Sequence, residues 1–180
     1  MELTALLASQ FNLPSIPRVV ALLLSELDRD EPDLKRVSQL VSTDPALTTR
    51  LLQISNSDDY KLAYTINSVS ESLAILGLKH LRAMTAIAAS GSSFKAVAGI
   101  NLQQFWSYSL NVAKISRSLA GVVRQNQQAA FTCGLIHAVG ELACTWPCQT
   151  RLRRSTKTHR RWVFDGVSLK CVFLATILVM

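Results

Sequence analysis

The chain reads as all-α, a compact bundle of short helices, and three observations predict it. Of its 180 residues 49% are hydrophobic, with only seven Gly and five Pro, a composition that supports a core rather than disorder. Apolar residues recur three and four apart, and nothing before residue 120 alternates apolar with polar as a half-buried strand does. Caps and breakers punctuate the text at short intervals, with no internal period of the kind that marks a repeat array. A chain of this length suits one domain.

The elements follow in order. Pro17 opens a first helix whose apolar residues are Val19, Val20, Leu22, Leu23, Leu24 and Leu27, and the acidic stretch 28–33 with Pro32 ends it. Leu34, Val37, Leu40 and Val41 mark a short amphipathic helix. Asp44-Pro45 pairs a cap acceptor with proline at the first helical position, and the helix it opens carries Leu47, Leu51, Leu52 and Ile54 before stopping near Asn56-Ser57-Asp58. Ser68-Val69-Ser70-Glu71 is a capping box, in which Glu71 reaches back to the cap residue. Leu73–Leu76 follow, Gly77 supplies a left-handed cap, and a helix resumes over 78–90 with Lys79, His80 and Arg82. Gly91-Ser92-Ser93 breaks the chain again; a long helix is predicted over 102–121 and another over 127–138.

The formal net charge of +7 invites a nucleic-acid reading, but its distribution does not. Residues 1–143 hold 12 Lys+Arg and 11 Asp+Glu, whereas residues 144–180 hold seven Lys+Arg and one Asp. The high isoelectric point therefore belongs to a tail, which can bind phosphate backbones without sequence preference and says nothing about the domain before it. Cys133, Cys144, Cys148 and Cys171 lack a second Cys or His pair at zinc-finger spacing, so no metal site is expected there. The first ten residues lack a signal-peptide pattern, and the apolar run 172–180 is far shorter than a membrane span. The expectation is a cytoplasmic protein with reduced thiols.

Five segments then carry a resemblance. Leu13-Pro14-Ser15-Ile16-Pro17; Thr43-Asp44-Pro45-Ala46-Leu47 with Arg50-Leu51-Leu52 and Ser55-Asn56-Ser57; and Ile66, Ser68, Ala74-Ile75-Leu76-Gly77 and Leu81-Arg82 come first in the chain. Phe105-Trp106-Ser107-Tyr108-Ser109-Leu110 and Gly134-Leu135-Ile136-His137 follow. In order and spacing these resemble the HDOD family, helical relatives of the HD phosphohydrolases that have lost the catalytic residues. The resemblance covers roughly residues 12–143 and stops abruptly after it. It divides the chain into an HDOD-like domain over 1–143, lacking the family's usual closing helices, and a divergent basic and apolar tail over 144–180. That tail is either a shifted reading frame or a genuine alternative terminus, with Trp162, Phe164 and the apolar end packing on the bundle.

What the resemblance implies about chemistry is negative. HD enzymes hold divalent metal through a first His, a His-Asp pair and a later Asp, because imidazole and carboxylate fix the ions that activate water. Here the first His position aligns with Tyr108, and the pair reads His137-Ala138. A phenol with its pKa near 10 is a poor ligand, and alanine cannot bridge two ions. His137, on an otherwise apolar helix, is expected to be a hydrogen-bonded core residue, and His80 an exposed helix residue. No other nucleophile–base order or phosphate-binding Gly loop appears. No catalytic residue, metal ligand or cofactor is therefore assigned.

The positive implication is regulation: a bacterial signalling domain that binds a protein or small ligand. Asn56, Ser57, Gly77, Arg82, Trp106 and His137 are the candidate binding or family-motif residues, each with a structural alternative as cap, turn or core. Two other classes stay open. One is helix-turn-helix binding of nucleic acid through residues 68–90, with Lys79 and Arg82 toward phosphates; the other is a metal-dependent phosphohydrolase. Absent closing helices would also leave apolar faces near 102–138 uncovered and invite self-association.

Overall fold

A computed structural model of the chain describes residues 13–60, 62–90, 100–140 and 142. Among these residues stand six α-helices and no strand: α1 (Pro17–Leu27), α2 (Leu34–Val41), α3 (Pro45–Ser55), α4 (Val69–Ala89), α5 (Leu102–Val122) and α6 (Gln127–Ile136), with a single 3₁₀ turn at Asp58–Tyr60.

Helix starts are where the sequence speaks most clearly. Each of α2 to α6 opens on a side chain that accepts a backbone N–H of its first turn, namely Asp33, Asp44, Ser68, Asn101 and Asn126. α1 has no such cap and relies on Pro17, whose fixed φ suits the first helical position. The capping box at α4 is half formed. Ser68 Oγ accepts from Glu71 N at 3.3 Å, while the Glu71 side chain stays exposed rather than reaching back.

Two interior features depart from expectation. Gly77 does take a positive φ of 67°, but its ψ of 175° is extended rather than left-handed helical. It breaks α4 into two helical halves without ending it, in a backbone conformation open essentially to glycine alone. The α6 helix, expected to reach 138, stops at Ile136. The reason is local: His137 Nδ1 donates to the Gly134 carbonyl at 2.8 Å, the acceptor that a continuing helix would offer to residue 138. After a turn at 137–138 the chain is helical again at 139–140.

The apolar residues form two clusters that share α3 as a wall. Val19, Val20, Leu23 and Leu27 of α1 meet Val37 and Val41 of α2, Leu47 and Leu51 of α3, and Leu76, Leu81, Met84 and Ala88 of α4. On the other side, Leu52 of α3 joins Ile66, Ala113 of α5, and Leu135, Ile136 and Val139. Burial of each such Leu, Ile or Val contributes roughly 1.5–3 kcal/mol. Consecutive residues Leu51 and Leu52 thus face different cores, which requires α3 to be buried nearly all round; Thr48 and Thr49 are admitted because their hydroxyls donate to the Val41 and Pro45 carbonyls at 2.8 Å.

Among the described residues α4 is the one helix long and apolar enough to cross a membrane by length and composition. Gly77 interrupts it, and its Leu76, Leu81, Met84 and Ala88 are buried in the first cluster. The tail 144–180 with Cys144, Cys148 and Cys171, and the break at 91–93, lie outside the described residues.

Candidate functional site

The α5–α6 pair is set by a close approach of small residues. A Cβ on Gly134 would stand 2.8 Å from the Ala113 Cα and 2.8 Å from Ser116 Oγ, so only glycine lets the two backbones meet here. That contact carries Tyr108 of α5 to His137 at the end of α6. Their ring centroids lie 5.3 Å apart at an interplanar angle of 54°, within the range of favourable aromatic pairs. The fold therefore brings together two of the positions singled out by sequence, and Ala138 lies buried beside them.

The chemistry of this corner follows from its atoms. A carbonyl can only accept, so the 2.8 Å contact to Gly134 assigns the proton to His137 Nδ1, and a neutral ring then presents Nε2 as an acceptor. Tyr108, half-exposed, offers a hydroxyl that both donates and accepts. The side chains gathered here, one imidazole and one phenol beside an alanine, do not fit the set of imidazoles and carboxylates that holds metal in the HD enzymes. Among the described residues no three His, Cys, Asp or Glu side chains gather as metal ligands would. What remains is a half-exposed aromatic corner with hydrogen-bonding capacity.

The other candidates stand elsewhere. Trp106 is on α5, half-buried, with an Nε1 that is buried and without a hydrogen-bond partner, as is Ser109 Oγ. Asn56 caps the end of α3 and uses its whole amide: Nδ2 donates to the Leu52 and Ile66 carbonyls at 3.0 and 2.8 Å, and Oδ1 accepts from Ile66 N at 2.7 Å. It thereby pins Ile66 into the cluster that holds Leu135. Ser57 Oγ donates to the Ile54 carbonyl. Gly77 and Arg82 lie on α4, where Arg82 Nε and Nη2 donate to the Leu27 carbonyl at 3.1 and 2.7 Å and so cap the end of α1.

That last contact bears on the nucleic-acid reading. Residues 68–90 do form helix, glycine, helix, but the break is one residue rather than a turn of three or four. The Arg82 guanidinium is also committed to backbone. His80, exposed as expected, donates through Nδ1 to the Leu76 carbonyl at 2.7 Å and meets Tyr60 edge-on.

Two buried carboxylates carry tertiary roles that the sequence reading missed. Asp44 was expected only as a cap, yet its Oδ2 also accepts from Ile16 N at 2.7 Å, 28 residues away. Burial pushes its carboxyl up to about 6, although hydrogen bonds from Ile16, Leu47, Ala46 and Ser15 favour the charged form. Glu26 lies in α1 one residue before the core residue Leu27, and that place on the apolar face was the available signal. It pairs with Arg29 at 3.1 Å and Arg36 at 3.3 Å and accepts from Asp33 N, which joins α1 to the start of α2.

Helical layers, a Gly-mediated α5–α6 crossing and a degenerate His corner define a protein of the HD-like helical class. Within that class this chain belongs to the HDOD domain family, whose model matches residues 13–164. Solved structures similar to it include the following two. The MmoQ response regulator of Methylococcus capsulatus is 26% identical with a TM-score of 0.69, over 77% of this chain and 56% of that one. A virulence factor of Campylobacter jejuni shares the fold at 23% identity and a TM-score of 0.65, over 81% of this chain and 52% of that one. An uncharacterized protein of Treponema pallidum is 23% identical over 80% of this chain and 28% of its own length. This chain thus spans about half the length of those structures and less of that curated relative.

Proposed function

We propose that this chain is a non-catalytic regulatory module of a bacterial signalling system, working in the cytoplasm by binding a protein or a small ligand. The observation that carries the reading is the corner itself, where Tyr108 packs on His137 and buried Ala138 removes the bridging carboxylate. Without that carboxylate the corner cannot hold two ions across a phosphate. The likeness to a chain described as a response regulator supports a signalling setting.

Elemental analysis of the full chain, purified after expression with iron and manganese supplied, tests the first half. The expected result is no stoichiometric metal and no hydrolysis of bis-p-nitrophenyl phosphate. A stoichiometric ion, or turnover abolished by a chelator and by His137→Ala, would reopen the phosphohydrolase reading. For the binding half, a partner captured by the native chain is expected to be lost with Tyr108→Ala bait that keeps native helicity.

A further inference from the structure

The four residues that lead into α1 run across both apolar clusters. Leu13, half-buried, packs against the second cluster, and Ile16, three residues on, packs against the first. Pro14 and Ser15 between them are buried. None of the four is helical, and Ile16 precedes α1 without a side-chain cap. One carboxylate from a different element pins the segment: Asp44 Oδ2 accepts from Ile16 N at 2.7 Å, and the Ser15 hydroxyl adds a second bond.

Asp44 is fully buried, and its other oxygen caps α3 by accepting from Ala46 N at 2.8 Å and Leu47 N at 3.2 Å. No cation answers its charge. The ionisable residues of the flanking helices are Arg18 and Glu26 on α1, Lys35 and Arg36 on α2, and Arg50 on α3. Glu26 and Arg36 pair with each other, and none of the five is among the groups that act on Asp44. A buried carboxylate served only by neutral donors keeps much of its desolvation cost. It can shed that cost in two ways, by taking a proton or by returning to water. The proton has a place, because the Ser15 hydroxyl is the one neighbour that accepts as well as donates. Return to water asks only that the segment held to it move away, since the Ala46 and Leu47 amides belong to the same turn as Asp44.

We propose that residues 13–16 are a proton-gated strap, closed over Asp44 while its carboxyl is protonated and loosened when it is ionised. Opening frees Leu13 and Ile16 from the two clusters they join, while α3 keeps its cap. The closed form holds the proton up to about 6, against 3.8 for the same carboxyl returned to water. Opening therefore grows as pH rises between these values and levels off above the higher one, about tenfold greater at pH 7.5 than at pH 5. The strap is independent of the proposed function, because it uses neither Tyr108 nor His137.

Amide hydrogen exchange of the full chain, followed by nuclear magnetic resonance at pH 5 and 7.5 and corrected for the intrinsic rate at each, tests it. The Ile16 amide is expected to exchange by a local opening that low urea does not promote. Its protection should be about tenfold lower at pH 7.5 than at pH 5, and below that of Leu51 and Leu52 in α3 at both. In Asp44→Asn, whose amide oxygen can still cap α3, Ile16 protection should be the same at the two pH values. Should that variant unfold, Asp44→Ser, which also keeps a capping oxygen, takes its place. Equal protection of Ile16 in the native chain at both pH values overturns the proposal. So does an Ile16 amide that exchanges with the α3 amides and responds to urea as they do, because the opening is then global. A pH dependence that persists in Asp44→Asn overturns it by assigning the proton to another group.

Discussion

The first four helices and the last two are held together by different means. Around α1 to α4, polar side chains reach across the sequence: Asp44 to Ile16, Glu26 to Asp33 and Arg36, Arg82 to Leu27, and a buried Ser55–Ser72 hydroxyl pair at 3.1 Å. The α5–α6 pair shows no such long-range side-chain bond among the described residues and rests on the approach of Gly134 to Ala113. The contrast teaches that register is fixed in the first region by hydrogen bonds to specific backbone atoms. In the second it is fixed by the absence of a side chain. The second region also leaves Tyr108, Ile115, Leu119 and Val122 exposed, with His137 half-buried beside Tyr108.

The largest effect expected from breaking that comparison is at Gly134. A valine there drives into backbone atoms of Ala113, which cannot swing aside as a flexible side chain would. Gly134→Val should cost about 3 kcal/mol, read as a fall in the urea midpoint together with loss of the Tyr108–His137 contact. A native-like midpoint would show that α5 and α6 can slide apart freely and that the contact does not set their register.

A pH titration sharpens the other side. The Asp44 carboxyl stands at about 6 when folded against 3.8 ordinarily, so the folded state holds this proton more tightly than the unfolded one. Its ionisation therefore costs stability above pH 6. That cost is relieved as pH falls through 6 and is gone below about 3.8, a gain of up to about 3 kcal/mol. The readout is the difference between the native chain and Asp44→Asn, in which the contributions of other groups cancel. That difference should change between neutral pH and about pH 4. If it stays constant, Asp44 is not a titrating strut of the first region.

The smallest effect is expected at Ser109. Its hydroxyl is buried in α5 without a partner, so Ser109→Ala removes a desolvated group at no loss of bonding. The midpoint should hold or rise by about 1 kcal/mol at most. A clear fall would reveal a bond to Ser109 and make the second region more like the first.

Much of this was legible in the sequence, for a physical reason. Helix starts are local: a cap residue contacts amides two or three positions on. Asp44 and Ser68, read as caps from sequence, therefore act where they stand, and Asp33, Asn101 and Asn126 cap by the same local rule though the sequence reading did not single them out. The all-α class, the first three helices and the start of the fourth follow from such signals and from three-and-four spacing. The motif order that resembles the HDOD family was legible too. Helix ends were less so. The arrest of α6 at Ile136 depends on a ring nitrogen competing for a carbonyl, which spacing does not report.

What only the tertiary structure decided is which residues meet. Residue spacing cannot say that Tyr108 lies against His137, that Arg82 caps α1, or that Asn56 closes on Ile66. Each depends on how helices pack once their apolar faces are buried. The sequence by itself determined the helices, because propensity and capping reside in single residues and their near neighbours. That Ile115, Leu119 and Val122 of α5 stand exposed was decided only by packing, because the same spacing of apolar residues would suit a core helix equally well until its neighbours are placed.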